Sequence, residues 1–262
     1  ILALLTAISY QILSNFANDY GDGVLGTDDN RIGPKRSIAS GQISTSELKK
    51  AILINIFISV SLSYFLIKYS FGTNYYLLLI FLILSIFSVA AAIKYTIGES
   101  PYGYKGLGDI FVFIFFGLIS VMGSSFLYTH KLDFILLPIA ISLGLLCVGV
   151  LNLNNIRDIE NDSKMNKKTI PTRIGFKNSK IYHYTLMSIP ILMTFLWSAN
   201  FEISIRYFFI IAAIFPIVFH IYKVRLAISP EKFKPLLKQL AISTFIYSIL
   251  ISIFLAYESI LF

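Results

Sequence analysis

Residues 133–162 read DFILLPIAISLGLLCVGVLNLNNIRDIEND. About twenty consecutive apolar residues match the length of a helix through a bilayer core. This run ends in amides, a cation and carboxylates. Asn154, Asp158 and Asp162 recur at intervals of four, and helical residues three or four apart share a face. The stretch therefore predicts a membrane-crossing helix whose end extends into a polar stripe. A related run stands near the start of the chain, Asn18-Asp19-Tyr20-Gly21-Asp22, with Asp28 and Asp29 just beyond. Both runs begin N-[DN]-x-x-D, both end a long apolar segment, and both are followed by cations: Arg31, Lys35 and Arg36 after the first, Lys164, Lys167 and Lys168 after the second.

The rest of the 262-residue chain fits a polytopic membrane protein. It is 56% hydrophobic and 14% charged, too little polar material to cover a soluble domain of this size. Eight spans are predicted, at 1–17, 47–68, 74–96, 107–128, 133–154, 180–198, 203–222 and 236–257. With eight spans, 19 of the 22 Lys and Arg residues fall on one side and only Lys68, Lys131 and Arg206 on the other. The cation-rich side is the cytoplasmic one by the positive-inside rule. Asp133, Glu202 and Glu258 are the acids placed opposite. Lys49, Lys50, Lys177, Lys180, Lys223, Arg225, Lys232, Lys234 and Lys238 are read as topology determinants and headgroup contacts. The single cysteine, Cys147, lies mid-span and allows no internal disulfide, and the three histidines lack the spacing of a zinc site. The chain opens at Ile1 inside an apolar stretch, so a preceding helix is expected to be missing.

Ionisable groups at a membrane boundary are expensive to keep and raise a functional hypothesis. Carboxylates repel a polyanion, but a divalent metal between them reverses the sign. Oxygen donors of this kind suit Mg²⁺, which binds through one or two carboxylates together with substrate phosphates. Trailing Lys and Arg then contact the remaining phosphate oxygens, Arg in bidentate fashion. The competing reading is that these acids pair with those cations and only cap loops. A third loop on the same side, Lys94 to Asp109, carries four glycines, which signal tight turns or close backbone approach. Its Tyr95, Tyr102 and Tyr104 are either interfacial belt residues or the lining of a substrate mouth.

Four stretches resemble one known family: QILSNFANDYGDGVLGTDD (11–29), RIGPKR (31–36), KYTIGESPYGYKGLGDIFVFIFFG (94–117) and LNLNNIRDIENDSKMNKKTIPTRIG (151–175). Together they are similar to the UbiA-type membrane prenyltransferases, and within them to the branch that prenylates 1,4-dihydroxy-2-naphthoate in menaquinone synthesis. The resemblance implies an all-α, polytopic transmembrane bundle of nine helices, eight of them present here, forming one domain around a cavity open to the cytoplasmic side. It implies Mg²⁺ as cofactor, polyprenyl diphosphate and 1,4-dihydroxy-2-naphthoate as substrates, a bacterial inner membrane as location, and no nucleic-acid partner. By matching position, the metal set is Asn18, Asp22, Asp28, Asp158 and Asp162. The diphosphate set is Lys35, Arg36, Lys94, Arg157 and Lys167, with Asn154 leading the second motif. Asp22, Asp158, Lys94 and Arg157 would carry catalysis. One departure is that the third acid of the first motif falls at Asp28, off the family spacing, with Asp29 competing. The rival readings are a sister enzyme with 4-hydroxybenzoate, homogentisate or haem as acceptor, and a cation-coupled transporter. The transporter is disfavoured because the acids sit at the boundary and the mid-spans hold almost no charge.

Overall fold

A computed structural model describes residues 1–27, 37–38 and 40–260, the side chains of 258–260 excepted. It is all-helical, with no strand among the described residues. Eight long helical stretches occur there. They are α1 (Leu2–Val24), α2 (Thr45–Phe71), α3 (Tyr75–Lys94), a composite stretch Gly108–Thr129, α6 (Leu137–Arg157), α8 (Ile170–Ser198), α9 (Tyr207–Leu226) and α10 (Phe233–Ile260). The composite stretch begins as α4 (Gly108–Val112), runs as a π-helix over Phe113–Gly123 and closes as α5 (Ser124–Thr129). A short α7 (Ile159–Lys164) follows α6. Six of the long stretches are apolar enough to cross a bilayer by length and composition; α1 and α8 are not among them. The reason is visible in their sequences. The helix at α1 continues through Asn18, Asp19 and Asp22, and α8 takes in Arg173, Lys177 and Lys180. α8 is also interrupted at Gly175 (φ +79°), which separates Ile170–Ile174 from the rest of the helix.

The chain forms two compact units. The first comprises Ile1–Gly108, Ser124–Lys131 and Asn161–Thr169. Here Leu13, Ile52 and Val89, one from each of α1, α2 and α3, make a small core, with Tyr10, Phe16 and Ile56 packed on it. The Tyr10 hydroxyl lies 2.6 Å from Ser85 Oγ and 3.1 Å from Ser63 Oγ, which joins the same three helices by polar contact. Such links between spans contribute about 0.6 kcal/mol each, so they fix register more than stability. α2 starts with a reciprocal cap: Ser44 accepts from the Glu47 N–H while the Glu47 carboxylate accepts from the Ser44 N–H. This satisfies two of the donors a helix start leaves unpaired.

The second unit comprises Asp109–Gly123, Leu132–Glu160 and Ile170–Phe262. α6 is its centre and packs on α8, α10 and the π-helix. Trp197, Tyr247, Phe233 and Phe254 are fully buried around it. Two of the histidines meet here: His183 Nε2 and His220 Nε2 lie 3.1 Å apart, and Asn152 Nδ2 is 3.4 Å from His183 Nδ1. The tightest approach to backbone in this unit is at Gly117, where an added Cβ would lie 2.6 Å from the Ala140 carbonyl oxygen and 2.7 Å from Gly144 Cα. Both neighbours are backbone and cannot step aside. Gly117→Ala gains about 1 kcal/mol in helix preference but overpacks at a cost of roughly 1–3 kcal/mol. A lowered unfolding temperature in detergent is therefore expected for Gly117→Ala.

Candidate functional site

The first acid run is the last turn of α1, and its carboxylates are buried. Asp22 is 6% exposed and Asp19 8%, both far from the solvated state of a simple helix end. The Tyr104 hydroxyl donates to Asp22 Oδ1 at 2.7 Å. Lys167 Nζ stands 3.7 Å from that same oxygen and 4.9 Å from the centroid of the Tyr104 ring. Thr27 Oγ1 lies 3.1 Å from the Tyr104 hydroxyl and 3.0 Å from the Asp22 carbonyl oxygen. Asn161 Nδ2 donates to the Thr27 carbonyl at 2.7 Å. Two backbone bonds close the ring of contacts: Lys167 N–H to the Asp162 carbonyl at 2.8 Å, and Lys168 N–H to the Tyr104 carbonyl at 2.9 Å. Asp162 is buried as well, and its charge adds to that of Asp22 in disfavouring ionisation of the Tyr104 phenol. Thus one compact unit holds Asp22 from the first run, and Asn161, Asp162 and Lys167 from the second, around a single tyrosine.

The glycine-rich loop explains how Tyr104 reaches this place. Gly106 adopts φ +78° and caps a short 3₁₀ turn at Tyr102–Lys105. Gly103 passes so close that a Cβ would sit 2.6 Å from the Tyr95 carbonyl oxygen. The three tyrosines divide their roles. Tyr102 donates to the Ala91 carbonyl at 2.8 Å and packs edge-on against Tyr95, which fastens the loop to the end of α3. Tyr104 is the one that meets the Asp22 carboxylate. Burial, with the neighbouring Asp22 and Asp162 carboxylates adding, pushes the Tyr104 phenol far above its ordinary range. It therefore remains a proton donor to Asp22 at any working pH.

Asn18 is half-buried and accepts from Thr96 Oγ1 at 3.4 Å, while that hydroxyl also donates to the Ala17 carbonyl at 2.8 Å. Asp19 accepts from the Ser37 N–H through Oδ2, and its Oδ1 has no partner among the described residues. Lys94 ends α3 and is exposed. Asp28, Lys35 and Arg36 lie outside the described residues.

In the second unit the expected stripe is interrupted. α6 ends at Arg157; Asp158 leaves the helix with φ −98° and ψ 12°, and α7 starts at the next residue. Asn154, Asp158 and Asp162 therefore do not share one continuous helix face, and Asp162 belongs to the first unit. The break frees the Asp158 side chain to meet its neighbour. Arg157 Nε donates to Asp158 Oδ1 at 2.7 Å, and its terminal nitrogen donates to Asp158 Oδ2 at 2.5 Å and Asn154 Oδ1 at 2.8 Å. Both charged side chains are about 5% exposed. Here an acid pairs with a cation of its own run, as the competing reading held for all of them. Nearby in the same unit, the Tyr182 hydroxyl donates to Asp109 Oδ2 at 2.8 Å.

The donors suit a hard divalent cation. They are carboxylate and amide oxygens, with an ammonium already beside Asp22 where positive charge is favoured. Among the described residues no three His, Cys, Asp or Glu side chains form a cluster able to hold a metal alone. The metal and diphosphate sets expected from the sequence contain none of Tyr104, Thr27, Asn161 and Asp19, although Tyr104 is among the tyrosines offered as lining of a substrate mouth. The local signal for Tyr104 was its glycine-flanked loop; the other three had none beyond lying in or beside an acid run.

Comparison with known proteins matches the UbiA prenyltransferase family over residues 1–249. A 1,4-dihydroxy-2-naphthoate octaprenyltransferase of Haemophilus influenzae is 41% identical, the match covering 97% of this chain and 82% of that protein. The Escherichia coli protein of the same name is 46% identical over 71% of this chain and 61% of its own length. A solved structure described as digeranylgeranylglyceryl phosphate synthase in membranes shares the fold, with a TM-score of 0.58, 22% identity, and coverage of 97% of this chain and 84% of that one.

Proposed function

Because the chain belongs to the UbiA prenyltransferase family, we propose that it transfers a polyprenyl chain from polyprenyl diphosphate to 1,4-dihydroxy-2-naphthoate, releasing diphosphate and CO₂. The observation that carries this reading is the meeting of Asp22 with Asn161, Asp162 and Lys167 around Tyr104. Two separate acid runs converge there on a place suited to an anion and its metal. The substrate assignment draws on the named octaprenyltransferases of two bacteria.

Each residue class has a defined task. Asp22 and Asp162, with Asn18 and Asp28 from the first run, would hold Mg²⁺, which when bound neutralises charge gathering on the leaving diphosphate. Lys167, Lys94, Lys35 and Arg36 would supply positive charge for the phosphate oxygens, a stabilisation that acts where charge develops. Asn154 orients Arg157 through their 2.8 Å bond. As the allylic C–O bond lengthens, its electron pair leaves with the diphosphate. The electron-rich ring forms the new C–C bond to the prenyl carbon, and the electron pair of the departing carboxylate returns to the ring. No external proton or oxidant is required. The chain works as one transmembrane catalytic domain in a bacterial inner membrane, with the cation-rich loops facing the cytoplasm.

Product mass analysis tests this. Purified protein given 1,4-dihydroxy-2-naphthoate and octaprenyl diphosphate should yield the decarboxylated prenyl naphthoquinol with Mg²⁺ and none in EDTA. Parallel reactions with 4-hydroxybenzoate or homogentisate should give no product. Prenylation of either in preference to the naphthoate would overturn the acceptor assignment.

A further inference from the structure

We propose that Tyr104 is a positioning residue for this site, its hydroxyl fixing the Asp22 carboxylate and its ring holding Lys167 beside the same oxygen as an exchangeable substitute for the divalent cation. This rests on the reading of the acid runs as a cation and diphosphate site. The geometry separates two jobs. The hydroxyl meets Asp22 Oδ1 at 2.7 Å, a full charge-assisted hydrogen bond. The ring face meets Lys167 Nζ at 4.9 Å, within cation–π range.

The Lys167–Asp22 pair is long. At 3.7 Å it exceeds the span of about 2.7–2.9 Å expected of a charge-assisted N–H···O bond. The Arg157–Asp158 fork, with bonds of 2.7 and 2.5 Å, shows what a closed pair looks like in this chain. Lys167 is instead shared between a carboxylate and a ring face, and its flexible stem gives it room to move. A divalent cation arriving at Asp22 competes for the oxygen that the ammonium faces. The ring keeps the displaced ammonium within reach of the site, where the phosphate oxygens arrive with the cation. Tyr104 also has the rigidity such a role requires. Its carbonyl accepts from the Lys168 N–H at 2.9 Å, and its hydroxyl lies 3.1 Å from Thr27 Oγ1.

The test titrates the purified full chain in detergent with Mn²⁺, followed by electron paramagnetic resonance, with no polyprenyl diphosphate present. Tyr104→Phe, which keeps the ring, should bind Mn²⁺ roughly tenfold more weakly, the scale of one hydrogen bond to a charged group. Its unfolding temperature should stay close to wild type. Lys167→Met should bind Mn²⁺ several-fold more tightly while raising KM for polyprenyl diphosphate, because a competitor for the carboxylate has gone and a phosphate contact with it. Unchanged Mn²⁺ affinity in a folded Tyr104→Phe protein overturns the proposal, as does weaker Mn²⁺ binding in Lys167→Met. If Tyr104→Phe fails to fold, the Lys167→Met titration still decides. Wild-type protein that binds Mn²⁺ but makes no prenylated product would defeat the proposed reaction and leave this inference standing. Wild-type protein that turns over yet binds no Mn²⁺ without diphosphate would defeat this inference alone.

Discussion

Asp22→Ala is expected to lower prenyl transfer by roughly 10²–10³-fold, the scale on which a preorganised charge-stabilising group acts, while the protein still inserts and purifies as a folded species. The argument is local. Asp22 is buried at the end of α1 and receives the Tyr104 hydroxyl and the Lys167 ammonium on one oxygen. Removing it deletes a proposed ligand for the cation and takes the Asp22 carboxylate from beside Lys167. Its cost to folding is limited because one partner is a neutral hydroxyl and the other, the Lys167 ammonium, stands 3.7 Å away and keeps its contact with the Tyr104 ring. Turnover measured against saturating Mg²⁺, beside circular dichroism of the same sample, checks both halves. Retained turnover within a factor of about three would remove Asp22 from the machinery.

The second large effect falls on stability. Arg157→Ala is expected to destabilise the protein by about 3–5 kcal/mol, because breaking a buried ion pair strands the remaining charge. Asp158 and Arg157 are both about 5% exposed and bonded through two nitrogens and two oxygens. The paired change Arg157→Ala with Asp158→Asn should recover much of that loss, since the stranded carboxylate is gone. Denaturant or thermal unfolding of the three proteins tests this; equal stability for the single and double variants would refute the stranded-charge account.

The spans were legible because long apolar runs need no tertiary information to be recognised. Six of the eight predicted spans coincide with helices long and apolar enough to cross a bilayer, while 1–17 and 180–198 fall on α1, which runs on to Val24, and α8, which begins at Ile170. Those ends were missed because a helix does not stop where its residues become polar. The π-helix at Phe113–Gly123 left no trace in a stretch apolar on every side, where no period can be read. The break at Asp158 was hidden for the opposite reason: spacing of four is regular in sequence whether or not the helix continues. The acid runs themselves were plain, since carboxylates beside greasy segments stand out. Their organiser was not. Tyr104 lies 82 positions from Asp22, and Asn161 lies 134 from Thr27, and no local pattern reports a contact across such distances.

The backbone bond from Lys168 to the Tyr104 carbonyl, together with Asn161 on Thr27, has a consequence for engineering. Segments 18–27, 94–107 and 161–168 behave as one transplantable cassette. Grafting any one of them alone from a distant relative should yield an inert chimera, whereas exchanging all three together should carry the donor's behaviour with them.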